Sequence, residues 1–157
     1  MSHRFKPVLA RFVFAGLPLA LASLAAIAQT GDAHGIRVRA ACLQAAPAPR
    51  LLLDLSCESA MDCWSDPADI GVIDVDTGQR LVASGPNLIY VDASGAPQAE
   101  PPMQGTIRAV WTLVLPAPVA AKRLQLVQGD ETATAAFAPA ADCAALPAAA
   151  VKRLAGG

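Results

Sequence analysis

Histidine is almost absent from this chain: His3 and His34 are the two that occur in 157 residues. A histidine general base must sit within hydrogen-bond reach of the proton it takes. His3 belongs to the leader described below, and His34 lies in a polar, glycine-containing stretch over 29–35 that nothing in the sequence anchors. Histidine-dependent acid–base or nucleophilic chemistry is therefore close to excluded. No C-x-x-C pair occurs, which argues against a zinc site and against a thiol tuned for redox exchange. Residues 54–76 hold no lysine or arginine. After residue 28 no apolar run reaches spanning length, so no stable membrane span is expected in the rest of the chain.

The first 28 residues read as a cleaved signal peptide. Arg4, Lys6 and Arg11 form a basic start, 12–26 is an apolar run broken by Gly16 and Pro18, and Ala26-Ile27-Ala28 fits a small-x-small cleavage site. Cleavage would remove three of 12 Lys and Arg, leaving 9 against 13 Asp and Glu, a net charge of −4. Such a balance disfavours nucleic acid as a partner. The expected location is periplasmic or secreted. Four cysteines follow the leader, an even number that in an oxidising compartment reads as two disulfides. Cys57 with Cys63 would close a short loop, and Cys42 with Cys143 would tie the first strand to the segment after the last.

Alternating patterns dominate what remains. In 50–56, Leu51, Leu53 and Leu55 share one face, with Arg50, Leu52 and Asp54 on the other; in 36–43, Ile36, Val38 and Ala40 oppose Arg37 and Arg39. The strongest alternation is 106–115, where Ile107, Ala109, Trp111, Leu113 and Leu115 line one side. Trp111 is therefore a core residue. Pro116-Ala117-Pro118 must stop that strand, 122–128 resumes, and Gly129-Asp130-Glu131 turns into a third strand over 132–137, so 105–137 is expected to form a three-stranded meander. Shorter strands are expected over 70–75, 80–83 and 87–91, with 96–104 as an extended loop. Many short strands broken by Gly, Pro and Asp predict an all-β fold, a β-sandwich or a small β-barrel. The domain plan is a signal peptide over 1–28, a flexible leader over 29–35, the β domain over 36–143 and an alanine-rich tail over 144–157 that is either a short helix or a trailing end.

Trp111-Thr-Leu-Val-Leu-Pro-Ala-Pro followed by Lys122-Arg-Leu-Gln-Leu-Val resembles the late strands of bacterial exported immunoglobulin-like domains of the telokin-like type. That resemblance implies an antiparallel immunoglobulin-like sandwich and an extracytoplasmic binding role. A second likeness is to small periplasmic lysozyme inhibitors, carried by Ser84-Gly85 ahead of Tyr90 and by Gly129-Asp130-Glu131-Thr132-Ala133 ahead of Cys143. Here the loop spacing departs from that family's.

The candidate site lies in the gap without cations. Asp54, Glu58, Asp62, Asp66, Asp69, Asp74 and Asp76 could present an acidic surface to a basic protein or peptide partner. Within the 57–69 loop, Met61, Asp62, Trp64 and Asp66 are the expected contact residues, with Trp64 as an aromatic anchor. Asp74-x-Asp76-x-Gly78 is similar to the start of a calcium loop, but its glycine is one place early and Gly85 stands where a bidentate glutamate belongs. No metal and no cofactor are expected. The sequence thus favours a non-catalytic binding module, ahead of a lysozyme-type inhibitor, a structural envelope component and a carboxylate-dependent hydrolase.

Overall fold

The computed structural model describes residues 35–45, 48–58, 70–81, 84–116, 119–120 and 123–156. The strands are β1 (Ile36–Gln44), β2 (Arg50–Cys57), β3 (Ile70–Asp74), β4 (Arg80–Leu81), β5 (Ser84–Val91), β6 (Pro97–Gln98), β7 (Ile107–Val114), β8 (Leu124–Gln128) and β9 (Glu131–Thr132). One helix, α1 (Ala148–Ala155), follows. A wide sheet has the order β1-β2-β7-β5-β6 and a narrow one β4-β3-β8-β9. All pairings between these strands are antiparallel.

Alternation dictates the packing. Leu51, Leu53 and Leu55 of β2 and Ala109, Trp111 and Leu113 of β7 turn the same way and meet Ile70, Val72, Leu124 and Leu126 of the narrow sheet in one buried cluster. Trp111 is fully enclosed there. Each buried leucine contributes roughly 1.5–3 kcal/mol of transfer free energy, so this inner layer dominates stability. Two separate sheets form, and no strand ladder closes them into a barrel among the described residues.

The expected meander is corrected. β7 pairs with β2 and β5 in the wide sheet, whereas β8 pairs with β3 in the narrow one. Leu115 still donates to Pro49 O at 2.9 Å. Pro116 has no N–H to continue the ladder, and the chain next enters a strand on the other sheet. Only the β8–β9 hairpin survives from the meander, its turn made at Gly129 with φ 57°. The third strand is shorter than expected, because Thr134 replaces the ladder with its side chain: its hydroxyl accepts from Leu126 N at 3.1 Å and donates to Ala135 O at 2.9 Å. Phe137 then returns to bridge Leu124. The 96–104 loop likewise contains the two-residue β6.

β1 departs from strict alternation. Its pairing with β2 shifts between Val38 and Ala40, leaving Arg39 as the extra residue of a bulge. Beyond it Ala40 packs on the outer side of the wide sheet and Ala41 joins the inner core, the reverse of the expected pattern.

A second, smaller cluster covers part of that outer side. Ala150 and Leu154 set one face of α1, with Leu146 just ahead of the helix, on Cys42, Leu52, Val91 and Val110. Lys152 and Arg153 in its last turn complement the helix dipole. Gly95, at φ 88°, lies where a Cβ would come 3.1 Å from Pro147 Cβ, so the β5–β6 turn docks closely against the helix start. The approach to α1 is pinned to β1 by the Cys42–Cys143 disulfide, with Cα atoms 5.3 Å apart. Leu43 N donates to Ala140 O at 3.0 Å and Ala140 N to Ala41 O at 2.8 Å. Cys42–Cys143 is as expected. Cys57 is also disulfide-bonded, and the expected pairing with Cys63 lies outside the described residues. No helix among the described residues is long and apolar enough to cross a membrane.

Candidate functional site

Toward the Cys57 end of β2 the helical cover stops and the outer face of the wide sheet becomes polar. Alternation places Asp54 and Ser56 there from β2 and Arg108 from β7, with Ser56 directly opposite Arg108. Arg108 reaches diagonally to Asp54: Nε donates to Oδ1 at 2.9 Å and Nη2 to Oδ2 at 2.6 Å. Such a forked pair fixes both planes. The Asp54 side chain is 2% exposed and that of Arg108 16%. Arg108 Nη1 donates to Ala93 O at 3.2 Å, fastening the β5–β6 turn over the pair. The hydrogen bonds that Arg108 donates to Asp54 raise its pKa above the ordinary value; desolvation opposes this and the nearby Asp54 and Asp92 charges add to it.

The bulge supplies a second guanidinium. Arg39 Nε lies 3.9 Å from Asp54 Oδ2, with the side chain 53% exposed. Two cations thus share one buried carboxylate. Beside them opens a groove of about 620 Å³, lined among others by Arg39, Ser56, Arg108, Asp92, Gln98 and Glu100. Asp92 is committed to its own turn. Its Oδ1 accepts from Ser94 N at 2.8 Å, Ser94 Oγ at 2.6 Å and Ala96 N at 2.9 Å, and Oδ2 accepts from Gln98 Nε2 at 3.3 Å. The Ser94 hydroxyl, then the Ala96 amide, hold its carboxyl below the usual range.

The expected contact residues Met61, Asp62, Trp64 and Asp66, together with Cys63 and Asp69, lie outside the described residues. The acids that are described do not form one patch. Asp54 serves Arg108. Glu58 pairs with Arg37 at 3.6 Å. Asp74, buried, turns Oδ1 to the amides of Asp76 and Thr77 at 2.9 and 3.3 Å. Asp76 pairs with Arg123 at 2.8 Å. Asp74 and Asp76 are thus explained as turn and ion-pair residues, with Gly78 at φ 72° completing the bend. Tyr90 sits within β5, half-buried against the inner core, and Gly129-Asp130 forms the β8–β9 turn.

Sequence reasoning missed the groove. One signal was present: β2 and β7 are both apolar strands interrupted by one buried-face charge each, of opposite sign, and buried charges are normally paired. Comparison with family models, with curated proteins and with solved structures gives no match for this chain.

Proposed function

We propose that the protein is an exported, non-catalytic binding module of immunoglobulin-like sandwich type, which engages its partner through the groove above Asp54 and Arg108. The observation that carries this is the commitment of the site's buried carboxylate. Both Asp54 oxygens accept from Arg108, and Asp92 is spent on its turn, so neither is poised to exchange a proton with a substrate. What the groove offers instead is fixed charge on a rigid sheet, the arrangement suited to recognition. Export is supported by the Cys42–Cys143 bridge, a bond that persists in oxidising compartments. The immunoglobulin-like assignment is supported by two antiparallel sheets around one core.

The test is affinity capture from periplasmic extract by wild type beside Arg39→Gln, with mass spectrometry of retained proteins and small molecules. Arg39 is half-exposed at a bulge and Arg108 still pairs with Asp54, so the neutral variant should keep a melting temperature close to wild type. A component held by wild type and lost by the variant supports the proposal. Equal capture, or none, overturns it.

A further inference from the structure

Among the described residues, two side chains in the groove are unspent. There Arg39 makes no hydrogen bond and one ionic contact, the 3.9 Å approach to Asp54, which leaves most of its five N–H donors for a ligand or solvent. Glu100, exposed in the lining, has no ion pair among the described residues. The remaining charges are already matched, Arg108 to Asp54 and Asp92 to its turn.

The charge balance selects the ligand. Two arginines and two acids line the groove, with Asp54 beneath them. A dianion such as phosphate or sulfate would meet Arg39 but be repelled by Glu100, Asp92 and Asp54. A simple cation would meet the reverse. A molecule carrying one carboxylate and one ammonium group satisfies both free side chains at no net cost in charge. About 620 Å³ lies within the range of small-molecule sites and is roomy for a single amino acid. Ser56, Gln98 and Thr106 on the walls add the hydrogen-bonding groups that a peptide unit requires.

Resting on the binding reading above, we propose that the groove takes a short zwitterionic peptide, its carboxylate on Arg39 and its amino group toward Glu100. The experiment is an amide NMR titration of the folded protein with alanyl-alanine and alanyl-leucine, each beside its N-acetylated and its C-amidated form. Unblocked peptides should shift the amides of Ser56, Thr106 and the 92–98 turn. Each blocking group should weaken binding by about tenfold or more, the usual loss when one charge-assisted hydrogen bond goes. Arg39→Gln should erase the penalty for amidation, and Glu100→Gln the penalty for acetylation. Equal binding of blocked and unblocked peptides overturns the zwitterion assignment. So does silence at about 10 mM, above the millimolar range of weak ligands. If that silence comes with Arg39-dependent capture from extract, the ligand class alone is wrong; without such capture, the groove itself is wrong.

Discussion

The two faces of the wide sheet share a backbone and differ in almost everything else. Inward, β2 and β7 present Leu51, Leu53, Leu55, Ala109, Trp111 and Leu113 to the narrow sheet. Outward, the same strands present Leu52 and Val110 to a helix, then Asp54, Ser56 and Arg108 to a groove. An apolar layer needs only volume and alternation, whereas a buried charge needs a partner placed to within a fraction of an ångström. The inner face therefore specifies the fold, and the outer face has been left room to specialise.

The largest expected effect lies inward. Trp111→Ala should cost about 3–5 kcal/mol in urea unfolding, the range for deleting a large buried aromatic. A loss under about 1 kcal/mol would mean the inner layer is less tightly filled than its burial indicates. Next comes the outer ion pair. Asp54→Ala leaves Arg108 without its carboxylate and should cost about 3 kcal/mol, since an uncompensated buried charge is expensive. Leu154→Ala, in the smaller cluster under α1, should cost about 2 kcal/mol, at the low end for leucine truncation. Hydrogen exchange should speed up first in α1 and leave β2 and β7 protected; simultaneous loss of protection in both would contradict two separable layers.

The smallest effect is at Asp92. Its carboxyl is held below the usual range in the folded state, so its stabilising contribution is present above the ordinary carboxyl pKa and fades as pH falls through the lower folded value. The stability gap between wild type and Asp92→Asn should therefore narrow in acid. A gap unchanged from neutral pH down to strong acid would show that the turn does not depend on the ionised group.

Where the inner face was legible, one rule sufficed: Leu51 to Leu55 and Ile107 to Leu113 alternate, and their burial follows. That rule could not name a strand's neighbour. β7 and β8 follow one another in the chain, yet the proline break between them separates two sheets instead of two adjacent strands. Nor does the bulge at Arg39 have a local mark, because it is a property of the β1–β2 pairing, and it reverses the sidedness of Ala40 and Ala41. The alanine-rich tail left helix and trailing end open, because Pro147 interrupts it; in the fold Pro147 stands just ahead of the first turn of α1, where a missing N–H is harmless. The site was hidden for a plainer reason. Asp54 and Arg108 are 54 residues apart, and the cation-free segment that caught the eye contains acids whose partners, Arg108, Arg37 and Arg123, all lie outside it.

On the binding proposal, the outer ion pair serves the groove and not the fold. Replacing both partners together, as Asp54→Leu with Arg108→Leu, removes the buried pair and leaves Arg39, half-exposed, to solvent; such exchanges of a buried pair are commonly neutral or stabilising. The decisive measurement is capture from periplasmic extract by this double variant, after urea unfolding has placed it within about 1 kcal/mol of wild type. The expected result is a folded protein that retains nothing wild type retains. A folded double variant that still captures the same component would contradict it.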